Sequence, residues 1–239
     1  SDAQLAHTNS PKDIETIIAV ARWQDASGED GVATLTTELA KHENPAIKAR
    51  LVREQVRLTL FDANIDQAKA LLEPVSSLPP KKTGGWIALA RGEIARAGGN
   101  LKQARSFFNT ALSIAPKLLQ AQVALGEVSG ARSSEQLANL SKLSRAHSEG
   151  MVRLALARAM ASRANQQGAI DLLQQVLWSD PTAGDPQALT LELIQYLADA
   201  KQFPRSLKLA KLLYQASAKG ASRLPVAKMA AAIAENSKL

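Results

Sequence analysis

The sequence predicts an all-α protein: about six helix–turn–helix units in a row, closed by a single C-terminal helix. Three observations lead there. Apolar residues make up 46% of the 239-residue chain but aromatics only 4%, so the apolar content rests mostly on Ala, Leu, Ile and Val. Ala and Leu are strong helix formers, and the β-branched and aromatic runs that mark strands are missing. Apolar residues recur at spacings of three and four, the helical period. A small-residue anchor also returns at intervals near 34 residues, the signature of stacked repeats.

The elements follow in order. Residues Ser1 to Ser10 are expected to fray, and Ser10-Pro11 opens the first helix with a capping serine and a first-turn proline. The clearest unit runs from Gly85 to Lys117 and reads GGWIALARGEIARAGGNLKQARSFFNTALSIAPK. Two helical stretches flank the Gly98-Gly99-Asn100 turn, and Pro116 closes the second. The first carries Trp86, Leu89, Gly92 and Ile94. The second carries Leu101, Ala104, Phe108, Ala111, Leu112 and Ile114. With Ala104 as anchor, Ala33, Ala68, Ala138, Ala169 and Ser206 occupy equivalent places, at gaps of 35, 36, 34, 31 and 37 residues. Twelve residues after the anchor come Pro45, Pro80, Pro116, Gly150 and Pro181. Twelve before it come Ala21, Val56, Gly92, Gly126, Ala157 and Ile194. Turn signals precede most anchors, at Ser27-Gly28, Ala63-Asn64, Gly98-Gly99 and Ala164-Asn165. The fourth unit is the weakest: Lys142 and Arg145 stand where apolar or small residues belong, and Gly126 and Gly130 loosen its first helix. Shortened or irregular helices are expected from Glu127 to Ser144. Ser222 to Ser237 reads as a lone helix with Leu224, Val226, Met229, Ala230 and Ile233 on one face, suited to cap the array.

The unit from Gly85 to Lys117 resembles the tetratricopeptide repeat (TPR) motif. Gly92, Gly99-Asn100-Leu101, Ala104, Phe108, Ala111-Leu112 and Pro116 carry the resemblance, and the fifth unit ends similarly in QQGAIDLLQQVLWSDP. Ala and Gly allow close helix crossing, whereas Phe108 supplies volume between neighbours. The resemblance implies a right-handed superhelix (α-solenoid) over residues 11–220, with approximate units 14–47, 49–82, 85–118, 119–149, 150–183 and 187–220, then a cap and tail over 221–239. It also implies a concave groove lined by the first helix of each pair, holding a peptide or partner helix. In this register the groove residues are Ile18 and Arg22; Arg50, Arg53 and Arg57; Trp86, Leu89, Glu93 and Arg96; Val123 and Glu127; Met151, Leu154 and Arg158.

Arg50, Arg53 and Arg57 share one helical face, and guanidinium forks suit carboxylates, which points to an acidic peptide or a free C-terminus. Glu93 and Glu127 weigh against this. The competing reading is a solvated face of local ion pairs, which contribute little when exposed. Trp86 is either an anchor for a ligand or inter-repeat packing.

The net charge of +7 is concentrated at one end. Residues 201–239 hold eight Lys/Arg and one acid, whereas residues 1–200 hold twenty-one of each sign. Lys201, Arg205, Lys208 and Lys211 form a secondary basic surface, either a docking stripe for an anionic surface or a solubilising outer face. A helical-repeat nucleic-acid binder using the basic C-terminal end is the alternative to a protein scaffold, but the neutral first 200 residues and scarce aromatics argue against it.

Little points to chemistry. With no cysteine there is no disulfide or thiolate site. His7, His42 and His147 are far apart and lack partners at helical ligand spacing. No nucleophile elbow, P-loop or dinucleotide fingerprint occurs. The acid pairs Glu29-Asp30 and Asp180/Asp185 sit at helix starts, where they favour the dipole. The expectation is a non-catalytic scaffold with no cofactor or metal, a protein or peptide partner, and end surfaces open to self-association. No apolar stretch is long enough to span a membrane. The chain opens Ser1-Asp2-Ala3 without Met, which suggests a processed or excised chain. Together with the absent cysteine, this leans toward a periplasmic or envelope location over the cytoplasm. Bacterial TPR proteins of similar composition often serve pilus, secretion or other envelope assembly, which the resemblance suggests for this chain.

Overall fold

The computed structural model describes residues 14–128, 134–180, 183, 186–216 and 223–237. These form thirteen α-helices with no strand among them: α1 (Ile14–Ala26), α2 (Gly31–Leu39), α3 (Pro45–Phe61), α4 (Ile65–Leu72), α5 (Trp86–Ala97), α6 (Leu101–Ile114), α7 (Leu119–Val128), α8 (Ser134–Ala146), α9 (Gly150–Ala161), α10 (Gln166–Ser179), α11 (Pro186–Asp199), α12 (Phe203–Ala216) and α13 (Arg223–Asn236). The described residues make an all-α protein of successive helix–turn–helix units. Its helices divide into two compact units, Ser1–Ser129 with α1–α7 and Gly130–Leu239 with α8–α13. The fourth unit of the sequence register, 119–149, is therefore shared between them. Ser10-Pro11 lies outside the described residues.

One turn recurs between paired helices, and it explains the sequence period. At Ala63-Asn64, Gly99-Asn100, Ala164-Asn165 and Lys201-Gln202 the first residue has φ of 56°, 77°, 60° and 58°. The next residue's N–H then reaches back to the carbonyl five residues earlier, at Thr59, Ala95, Met160 and Leu197. This left-handed closure satisfies the carbonyls that a helix end leaves free. The following residue opens the next helix. Asn64, Asn100 and Asn165 accept from the backbone N–H groups of Gln67, Gln103 and Gly168, each at 3.1 Å. Four residues beyond each cap stands a wholly buried small side chain: Ala68, Ala104, Ala169 and Ser206.

The first and fourth units depart from this pattern. Gly28 supplies the positive φ, but Glu29 intervenes before the cap Asp30, which accepts from Ala33 N–H at 2.8 Å. Burial is displaced by two positions: Gly31, Leu35 and Glu38 are the buried residues of α2, and the expected anchor Ala33 is exposed. Gly31 instead makes the close approach: a Cβ there would stand 2.2 Å from the Ala21 carbonyl oxygen. Ala138 is likewise exposed, whereas Leu140 of α8 is buried. The expected irregularity does not reach α8, which is continuous for 13 residues because Leu137, Ala138 and Leu140 are good helix formers. Gly130 lies outside the described residues. In the second unit of the sequence register α4 ends at Leu72, and 3₁₀ turns over Glu73–Val75 and Pro80–Thr83 lead to α5. Pro45 starts α3, with Asn44 capping it.

Within the first compact unit α3 is the central helix. Packed against α1, α2, α4, α5 and the Pro80–Thr83 turn, it buries Ala49, Leu51 to Val56, Leu58 and Thr59. Four of these, Arg53, Glu54, Gln55 and Thr59, are polar. Around α6, Phe108 is wholly buried against Gly92. In the second compact unit Leu154, Ile170, Leu173, Val176, Leu189 and Leu193 form one core. Val226 and Ile233 of α13 close another against Ile194 and Ala210. The Asp180 carboxylate, at the end of α10, accepts from Gly150 N–H at the start of α9 at 3.0 Å. Asp185 lies outside the described residues.

Two substitutions test this packing. A Cβ on Gly92 would stand 2.3 Å from Phe108 Cε1, and the enclosed ring cannot withdraw. Gly92→Ala is therefore expected to cost about 1–3 kcal/mol by overpacking, read from denaturant melts. Ala164→Gly relieves a left-handed alanine and is expected to stabilise by about 0.5 kcal/mol after the added unfolded-chain entropy. A loss of stability in Ala164→Gly would contradict the turn assignment.

Candidate functional site

The first helices of the repeats in the first compact unit, α1, α3, α5 and α7, contact one another in sequence, and their facing side chains carry a chain of ion pairs. At its centre Glu54 is 1% exposed. Its carboxylate receives Arg22 Nε from α1 at 2.7 Å and Arg22 Nη2 at 3.1 Å. Arg57 Nε donates to it at 2.7 Å from the next turn of α3, and Arg53 Nη1 at 3.0 Å. Arg53 also reaches across to α5, donating Nε to Glu93 at 3.0 Å and Nη2 to its other oxygen. Further along, Arg50 pairs with Glu15 of α1 and lies over the Trp86 ring, 5.3 Å from its centroid. Arg57 stands 4.9 Å above the Phe61 ring. Arg96 of α5 pairs with Glu127 of α7.

The electrostatics follow from burial set against pairing. Burial pushes the Glu54 carboxyl upward, but Arg57, Arg22 and Arg53 overcome it and hold the group well below the usual carboxylate range. Burial likewise works against the charge of Arg53, and Glu93 with Glu54 reverses this, leaving its pKa raised. For Arg57 burial prevails over Glu54 and the pKa is lowered. The row holds five arginines, Arg22, Arg50, Arg53, Arg57 and Arg96, against four glutamates, Glu15, Glu54, Glu93 and Glu127. One positive charge is left over.

The expected groove residues divide by depth. Ile18, Leu89 and Val123 are buried at 3%, 0% and 5% exposure and belong to the packing between helices. Arg53 and Glu93 are buried as an ion pair. Arg22, Arg50, Arg57, Trp86, Arg96 and Glu127 are partly exposed. In the second compact unit, α9 carries buried Leu154, half-buried Met151 and exposed Arg158. Arg158 Nε donates to Glu192 of α11 at 3.1 Å. Tyr196 O–H donates to the same carboxylate, and burial together with this bond raises the phenol's pKa. Lys201, Arg205, Lys208 and Lys211 are all exposed on or beside α12.

Sequence reasoning missed Glu54 as the hub. Its signal was an acid set three residues before Arg57 and beside Arg53, the one acid among the four cations of α3. Among the described residues no three acidic or histidine side chains cluster as metal ligands. None of the described helices is long and apolar enough to cross a membrane.

No protein-family model matches the chain, and no curated protein matches it. Among solved structures it is similar to that of Naa15/Naa10 bound to HypK-THB, with TM-score 0.41 and 15% identity over 93% of this chain. The chain spans about a third of that protein's length, 34%. It is also similar to the TPR-like repeats of a putative kinesin light chain from Podosopora anserina. That structure gives TM-score 0.34 and 19% identity, covering 81% of this chain and 88% of the other. A singly substituted form of the same repeats gives the same score and coverage at 18% identity. At this distance the likenesses say nothing of partner or activity.

The Glu54 hub sets a pH dependence. Its folded pKa is depressed, so its stabilisation is complete above the ordinary carboxylate value of 4.5 and is lost as pH falls through the lowered folded value. Glu54→Gln is expected to cost about 3 kcal/mol at neutral pH, because buried guanidinium loses its partner. The stability curves of the two proteins should converge below about pH 4.5. Parallel curves down to acid pH would place the stabilisation elsewhere.

Proposed function

We propose that this chain is a non-catalytic protein-binding scaffold that takes an acidic, extended peptide along the α1–α3–α5–α7 face of its first compact unit. The observation that carries the reading is the two-tier arrangement of this face. Arg53, Glu54 and Glu93 form a buried lower tier. Above it the partly exposed Arg22, Arg50, Arg57 and Arg96 are held in place, interleaved with Trp86. Arginines whose stems are already oriented lose less freedom when a carboxylate arrives. Arg50 is the most exchangeable of them. Its partner Glu15 has a side chain 67% exposed, so a ligand carboxylate can replace Glu15 while Trp86 keeps the guanidinium positioned. Trp86 adds an apolar contact beside the charge. The local ion pairs temper affinity, because each incoming carboxylate displaces an existing partner.

A role in bacterial envelope or secretion assembly is consistent with a TPR-like scaffold and forms part of this proposal. Its support is the resemblance alone. Nucleic acid is the lesser reading for this face, since all five guanidiniums here already have a carboxylate and only one excess positive charge remains.

The test is binding to an array of extended peptides graded in carboxylate content, each ending in a free carboxylate or an amide. Retention should rise with acidity and fall about tenfold or more in Arg50→Gln/Arg57→Gln, the loss of one to two charge-assisted hydrogen bonds. Arg53 is left intact because it is buried. Retention independent of acidity, or unchanged in the double variant, would remove this face from the binding site.

A further inference from the structure

Four cations of the C-terminal end, Lys201, Arg205, Lys208 and Lys211, lie on or beside a different element from the proposed peptide site. On α12, Ser206 and Ala210 face inward at 0% and 1% exposure. The opposite side presents Arg205, Lys208 and Lys211, preceded in the turn by Lys201. Between Arg205 and Lys211 the helical rise spreads the charges along about 9 Å of α12. Arg205 donates to Gln202 Oε1 in its own first turn. Among the described residues none of the four cations has a carboxylate partner. This contrasts with the first compact unit, where Arg22, Arg50, Arg53, Arg57 and Arg96 are all paired. One turn beyond Lys208, on the same side of the helix, Leu212 is 53% exposed, and Tyr214 at its flank is 41% exposed.

We propose that this face of α12 docks the protein onto an anionic lipid bilayer. Charge complementarity requires an anionic partner, and the composition of the face selects a membrane. Three of the four cations are lysines, flexible point charges that suit a diffuse sheet of headgroups better than a defined carboxylate or base edge. Among them stands an aliphatic side chain, free to enter the interfacial region of a leaflet. A nucleic-acid surface would gain nothing from Leu212 and would call for several stacking aromatics, where this face has Tyr214 alone among the described residues. No described helix crosses a membrane, so the attachment is peripheral: a short polybasic face with one apolar contact, reversible and sensitive to salt. The lipid contact made in this way involves α12 with the turn before it and none of the α1–α3–α5–α7 residues.

The experiment is co-sedimentation of the full chain with vesicles of phosphatidylcholine alone and with about one-third phosphatidylglycerol, in low and in roughly 0.5 M salt. Binding is expected only to the anionic vesicles at low salt. Charge reversal at all four positions, Lys201→Glu/Arg205→Glu/Lys208→Glu/Lys211→Glu, should lower the partition coefficient about 100-fold or more. Leu212→Ser should lower it about threefold, as loss of a half-buried apolar contact requires. Arg50→Gln/Arg57→Gln should leave it unchanged, which keeps this inference separate from the peptide site. The five α12-face side chains altered are exposed, so helicity and melting should be retained and serve as the folding control. The proposal fails if wild type ignores anionic vesicles or if the quadruple variant binds them equally. It also fails if an oligouridylate is bound more tightly than the vesicles, which would reassign the face to nucleic acid.

Discussion

A carboxylate withdrawn from water survives as a charge only when donors surround it, and Glu54 meets that condition through three arginines from two helices. Everything distinctive about the first compact unit follows from this. Glu54 sits on α3, the helix buried on nearly every side, so its partners must come from that helix and from the neighbours that bury it. Arg22 ties α1 to α3. Arg53 extends the connection to Glu93 and so to α5. An apolar contact could slide by a fraction of a turn at little cost. A forked guanidinium on a buried carboxylate cannot, so the network sets the register of the three helices as well as adding to their cohesion.

The same network decides what the face can offer a partner. Charges that are fully buried are committed to structure, and those at the edge retain some freedom. The difference between Arg53 and Arg50 is one of depth alone: both come from one helix face, yet Arg53 lies between two buried glutamates, whereas Arg50 meets an exposed one and an aromatic ring. A stripe of identical residues thus separates into a supporting tier and a reachable tier. The face of α12 behaves differently because its helix is buried on one side only. Its cations have no carboxylate partners among the described residues, and their field is directed at solvent.

The helix pairs are joined by a device that is independent of charge. A left-handed residue followed by a capping side chain closes one helix and opens the next within two residues. Four turns follow the left-handed pattern, with glycine at only one of them and Ala63, Ala164 and Lys201 at the others. The strain at these three is tolerated because the returning N–H satisfies a carbonyl that would otherwise be left open, and at Asn64 and Asn165 the cap satisfies an N–H as well.

Much of this was legible in the sequence. The helical spacing, the period near 34, the Asn-led turns, the small residue at Gly92 and the terminal helix are all local or periodic properties, and local chemistry dictates them. The Ala33 anchor is misplaced in that reading because the turn through Glu29 and Asp30 leaves burial two positions earlier, at Gly31, Leu35 and Glu38, and a consensus spacing does not register it. The depth of each charged side chain was not legible either. Arg50, Arg53 and Arg57 have the same spacing and chemistry, and the separation of their roles depends on what α1 and α5 place opposite them. The sequence by itself determined the helices, their pairing and the excess of positive charge at one end. Only the tertiary structure decided which charges are consumed in holding helices together, because ion pairing is set by distances across the fold, between residues 32 and 40 positions apart in the chain.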